Sequence, residues 1–125
     1  MSLGLAAGVS ATGAVGAVCR YLLAGVAQRR TASELPWGTF IVNVSGSLVL
    51  GVVTGAALYH ALPNTPRTLL ATGFCGAYTT FSTFTFETVR LLEEGDVGAA
   101  LANALGSVVA GCAAAAAGLA LAALF

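Results

Sequence analysis

The stretch "GFCGAYTTFSTFTF", Gly73–Phe86, decides how this chain is read. Hydropathy alone would pass it as part of a membrane-spanning helix. Yet it holds two glycines, six hydroxyl side chains counting Tyr78, and four phenylalanines. Gly73 and Gly76 stand three apart and are followed by Ala77, Tyr78, Thr79 and Thr80. Each glycine lowers helix preference by ~1 kcal/mol relative to alanine, and threonine side chains offer the backbone competing hydrogen bonds. Irregular backbone at membrane depth survives only where it is buried in protein or lines a cavity. Broken helices of this kind present free carbonyls and helix ends to ions. The stretch therefore predicts a helix break around Gly76–Thr80 beside an ion pathway. The plainer alternative is a continuous helix with small residues at a packing contact.

Past the break the helical pattern resumes. Phe81, Phe84, Thr85 and Thr88 share one face by the i, i+3, i+4, i+7 rule. Ser82 and Thr83 turn to a flanking face, on which Glu87 and Arg90 follow Thr83. The edge of an aromatic ring is electropositive, so phenyl edges can receive an anion without holding it by a fixed charge. Hydroxyl groups alongside can replace lost water. That pairing suits a small, tightly hydrated anion, although an aromatic stripe also serves plain packing.

The rest of the chain is membrane-like. Of 125 residues 58% are hydrophobic and 8% charged, with mean hydropathy +0.91. Soluble domains carry nearer ~25% charged residues. A span needs ~20 apolar residues, and the chain divides into four, at about 2–27, 38–58, 68–92 and 97–124. They form one all-α, four-helix transmembrane domain over residues 1–125. Trp37 and the pair Tyr59 and His60 mark interfaces. Zero net charge and no basic patch exclude nucleic-acid binding. Cys19, Cys75 and Cys112 are scattered through apolar segments, without metal or disulfide spacing. No nucleophile lies beside a base and no phosphate loop is present, so the chain is not read as an enzyme. The arginine distribution, Arg29, Arg30 and Arg90 against Arg67, gives only a weak orientation bias.

Further polar positions lie in the spans. Asn43 shares a face with Ser47 and Thr54. Its amide can bond across helices or donate to an anion. Arg20, inside the first span, either anchors the helix by snorkelling or draws anions to a vestibule. Glu87 is the one acid at membrane depth, free to pair with Arg90 or to join a pathway. The fourth span offers only Asn103 and Ser107. Glycines and serines at helical spacing (Gly4 and Gly8, Gly51 and Gly55, Ser107 and Gly111, with Gly118 beyond) let backbones approach within the bundle or between subunits.

"GFCGAYTTFSTF", with "PWGTFIVNVSGS" (Pro36–Ser47) and "GAVCRY" (Gly16–Tyr21), closely resembles the small fluoride channel family, Fluc or CrcB, over nearly the whole chain. The resemblance implies an antiparallel, dual-topology homodimer with two pores in the cell inner membrane. It implies a structural sodium ion at the dimer centre, held by backbone carbonyls of Gly76 and Thr79. It places Phe81 and Phe84 as the rings facing fluoride and Asn43 as the amide donor. Ser82, Thr83 and Glu87 fall along a polar track, with Arg20 near the aqueous mouth. Ala77 stands where many members have a second glycine. The expected activity is passive, selective export of fluoride. The competing readings are a proton-coupled transporter of the small multidrug resistance type, which needs a mid-membrane carboxylate that the first span lacks, and a non-transporting assembly subunit.

Overall fold

A computed structural model describes residues Met1–Phe125 and contains only helices and their connections. Helix α1 runs Leu3–Thr31 and α2 Trp37–Tyr59. Three helical pieces follow: α3 (Asn64–Thr68), a π-helical segment Leu69–Cys75, and α4 (Gly76–Tyr78). Then come α5 (Ser82–Glu93) and α6 (Val97–Ala123). Helices α1, α2 and α6 are each long and apolar enough to cross a membrane.

The ends have local causes. The Ser2 hydroxyl accepts from the Leu5 amide at 3.1 Å, and the Asp96 carboxylate from the Ala99 amide at 3.0 Å, each satisfying an orphan donor of a first turn. Gly95, at φ +82°, supplies the left-handed residue that turns α5 into α6. Gln28 closes the α1–α2 connection. Its Nε2 donates to the Ser33 and Leu35 carbonyls, both at 3.1 Å, and its Oε1 accepts from the Gly38 amide at 3.0 Å. Gln28→Ala removes three hydrogen bonds and leaves the Ser33 carbonyl and the Gly38 amide without a partner, while the Leu35 carbonyl keeps the Trp37 amide. It should lower stability by roughly 1–3 kcal/mol, seen as a lower melting temperature in detergent while the oligomeric state is unchanged.

Helix α2 packs along α6, and α1 against the π-helical segment and α4. Lipid gives apolar helices no hydrophobic reason to associate, so close van der Waals contact does the work. Gly51 of α2 lies against the Ala115 carbonyl, and Gly118 of α6 against the Leu48 carbonyl and Val52 amide. Gly55 meets Ala122. These small residues serve packing inside the bundle. Gly8 faces the Leu69 side chain of the π-helical segment, whereas a side chain at Gly4 would meet nothing within 4 Å inside the chain. Gly16 of α1 sits on the Phe74 carbonyl, and Gly73 on the Thr12 hydroxyl.

The break is real but displaced by a few residues. Gly76, with φ −60° and ψ −35°, is helical, as are Ala77 and Tyr78. The chain leaves the helix at Thr79, whose φ −87° and ψ 162° are extended, and re-enters at Ser82. Before the break the glycines act through space rather than flexibility. Gly73 lets α1 approach, and the widened π-helical turns around it are a form that concentrates at functional sites.

Candidate functional site

The two threonines of the break manage one helix end each. The Thr79 hydroxyl donates to the Cys75 carbonyl at 2.9 Å and finishes α4. The Thr80 hydroxyl accepts from the Thr83 amide at 3.1 Å and starts α5. The peptide groups of Thr80, which have no helical partner, are both taken by Asn43 of α2. Its Nδ2 donates to the Thr80 carbonyl at 2.9 Å, and its Oδ1 accepts from the Thr80 amide at 2.8 Å. Since an amide N–H can only donate and a carbonyl only accept, this pair also fixes which way the Asn43 side chain is turned. One N–H of Asn43 remains unspent.

Two neighbours on α2 complete the clamp. Ser45 Oγ is 2.8 Å from the Tyr78 hydroxyl, and Gly46 leaves room for the Thr79 methyl and the Tyr78 ring. The Tyr78 ring stacks on Phe74 with centroids 5.4 Å apart. The carbonyl oxygens of Gly76 and Thr79 receive no hydrogen bond from the chain. They are hard oxygen donors with free lone pairs at a helix break, the chemistry a sodium ion takes from unwound membrane helices.

These groups line an open recess of about 370 Å³ between α2, the broken segment and α6. Asn43, Gly76, Thr79, Phe81 and Phe84 all border it, together with Ser47, Ser107 and Gly111. No charged side chain does. The Phe81 and Phe84 centroids are 6.1 Å apart with planes tilted by 45°, and Phe81 is 76% exposed. Ser107 Oγ is buried without a partner on the same wall.

Arg20, Thr83 and Glu87 belong to a second recess, of about 400 Å³, between α1, α2 and α5. Thr80 borders both recesses. The sequence-predicted residues thus form two groups on either side of the break. Ser82 borders neither recess; its hydroxyl lies 3.4 Å from that of Thr80. Arg20 makes no ion pair. Glu87 does not pair with Arg90: it accepts from the Thr39 hydroxyl on α2. Arg90 instead reaches Glu94 at 3.1 Å, one turn further along an exposed face. The inward turn of Glu87 onto α2 is what separates them.

Sequence reasoning missed Thr39, Ser45 and Thr88 as partners. Thr39 precedes Asn43 by four residues, so the face carrying Asn43 and Ser47 extends one helical turn earlier, to Thr39. Nothing in the sequence pointed to Ser45, whose partner Tyr78 sits 33 residues away.

The family described as CrcB-like protein, Camphor Resistance (CrcB), matches residues 7–119. The chain belongs to the CrcB family. It is similar to proteins named fluoride-specific ion channel FluC 1 from Streptomyces avermitilis and from Frankia casuarinae. The first is 50% identical over 105 residues, 84% of this chain and 85% of the relative. The second is 49% identical over 119 residues, 91% and 92% of the two chains. A fluoride-specific ion channel FluC from Nitrobacter winogradskyi is 44% identical over 102 residues, 81% of each. Family and long apolar helices together make this CrcB chain an integral membrane protein.

Proposed function

We infer that this CrcB chain is a fluoride-specific ion channel and not an enzyme. The observation that carries the inference is the uncharged recess where the Asn43 amide, a set of hydroxyls and two phenyl rings meet beside a helix break. A conducting site must hold its ion well enough to admit it and weakly enough to release it. Amide and hydroxyl donors stand in for lost water, ring edges add a diffuse positive field, and no cation traps the anion. Chloride, being larger, would be rejected wherever the rings narrow the pathway.

Phe81 and Phe84 present their edges to fluoride, and the unspent N–H of Asn43 donates to it. Thr83 and Glu87 continue the polar track on the far side of the break, and Ser82 joins it through the Thr80 hydroxyl. Arg20, an unpaired cation in its recess, concentrates anions at the aqueous mouth. Each recess is open on one side of a single chain. An antiparallel, dual-topology homodimer would close the pathway against a second copy, and the weak arginine bias suits insertion in both orientations. The unbonded Gly76 and Thr79 carbonyls would then hold a structural sodium ion, which supplies positive charge to offset converging carbonyl dipoles. In the cell inner membrane such a channel releases fluoride passively, after neutral HF has entered from an acidic exterior and dissociated inside. A proton-coupled drug transporter is not favoured, because α1 carries no carboxylate to couple protons at mid-membrane.

The test is fluoride efflux from sealed liposomes carrying the purified chain, read by a fluoride electrode. Release should depend on valinomycin as the potassium countercurrent and spare chloride. Phe81→Ile, which keeps bulk and removes the ring, should slow it by about 100-fold, the loss of two to three kcal/mol of stabilisation at the barrier. Release driven by a proton gradient without valinomycin would indicate exchange. Silence from folded protein would sink the reading.

A further inference from the structure

Beyond the break, α5 is poorly held by apolar contact. Leu91, near its far end, is the one residue of the helix that is buried. The turn carrying Ser82, Thr83, Phe84 and Thr85 contains none. Yet this turn sets where the rings stand. Helix α6 reaches it through a side chain outside the pathway described above. Asn103 is 7% exposed, and its Nδ2 donates to Thr88 Oγ1 at 2.8 Å. That hydroxyl in turn donates to the Phe84 carbonyl at 2.8 Å. Because the Thr88 proton is committed to Phe84, the Thr88 oxygen can only accept from Asn103, so the direction of both bonds is fixed. Asn103–Thr88 is the sole side-chain hydrogen bond joining α5 to α6.

Leucine keeps the branching and side-chain heavy-atom count of asparagine and enters a membrane more readily. An interhelical hydrogen bond in a bilayer adds little net stability over such packing. What the amide adds is direction, since it accepts only one rotation of α5 about its axis. We propose that Asn103 is a positioning residue, which through Thr88 fixes the azimuth of α5 and hence the placement of Phe84 and Phe81 at the recess. The proposal rests on the channel reading and deepens it, giving the fourth span a share in selectivity without contact with the ion.

The full-length chain, reconstituted at equal amounts of folded protein, decides the matter. Asn103→Leu and Thr88→Val each delete the bond while keeping the branching of the side chain. Each should slow fluoride efflux about three- to ten-fold, the population shift one such bond can hold, and raise chloride release relative to fluoride. Thr88→Ser, which keeps the hydroxyl, should behave as the parent does. The double variant Asn103→Leu/Thr88→Val should be no slower than the slower single variant. Parental flux and halide ratio in both single variants would overturn the proposal. So would a lowered melting temperature with unchanged flux per folded protein, or Thr88→Ser failing as badly as Thr88→Val. The threonine pair gives the answer even where Asn103→Leu does not fold. A parental chain silent to fluoride overturns the channel reading itself, and the proposal with it. Active parent and active variants overturn the positioning role alone.

Discussion

Asn43→Asp is expected to reduce fluoride efflux by about two to three orders of magnitude, with the protein still folded. The substitution is nearly isosteric, so its effect comes from the exchange of one N–H donor group for an oxygen. Asn43 Oδ1 accepts from the Thr80 amide at 2.8 Å, and an aspartate can keep that bond. The other side of the clamp fails. Where Nδ2 donated to the Thr80 carbonyl at 2.9 Å, two acceptors now face each other. A polar group left without its partner costs ~1–3 kcal/mol, and an aspartate within a membrane helix adds a cost that reaches ~2.5–3.5 kcal/mol at the helix centre. The spare donor that faces the recess is lost as well, and negative charge is placed where an anion must pass. About 1.4 kcal/mol of barrier is tenfold in rate, which gives the stated range. Electrode traces from liposomes at matched protein, with size exclusion to confirm folding, check it. A parental rate in Asn43→Asp would show that neither the amide donor nor the clamp on Thr80 matters to permeation.

The helix break could be read from the sequence because its cause is compositional: paired glycines and adjacent threonines at membrane depth are a poor way to build a plain helix. Its position could not be read as well. Glycine propensity drew the break toward Gly76, but Gly76 keeps helical angles. The decisive group is a side chain on another helix, since Asn43 captures both peptide groups of Thr80 and so stabilises the extended residue just before it. Local propensity carries no information about a partner 37 residues away. The same limit hid the partner of Glu87. Spacing along one helix offers Arg90 at i+3, whereas the observed donor, Thr39, comes from α2. The grouping of site residues was legible only by halves. One helix face gave Phe81 and Phe84 together, but that Asn43 joins them while Arg20, Thr83 and Glu87 stand across the break is a matter of tertiary packing.

Gly118→Leu should leave almost no folded protein, whereas Gly4→Leu should be tolerated. Both are helical glycines in apolar surroundings, and hydropathy favours the substitution at each. They differ in what a side chain would meet. At Gly4 nothing lies within 4 Å. At Gly118 a Cβ would overlap the Leu48 carbonyl, the Val52 amide and the Gly51 backbone of α2. Main-chain atoms cannot rotate aside as a side chain can, so α2 and α6 must separate. Overpacking a core costs ~1–3 kcal/mol even where side chains can adjust, and here the separation also empties the contacts of Gly51 with Ala115 and of Gly55 with Ala122. Close packing is the main attraction between apolar helices in lipid, which leaves no hydrophobic reserve to hold a spread pair together. The damage extends to the site, because α6 carries Ser107 and Asn103 while α2 carries Asn43. A monodisperse size-exclusion peak and the melting temperature in detergent distinguish the outcomes. A parental melt for Gly118→Leu would mean that backbone proximity of α2 and α6 does not hold this bundle together.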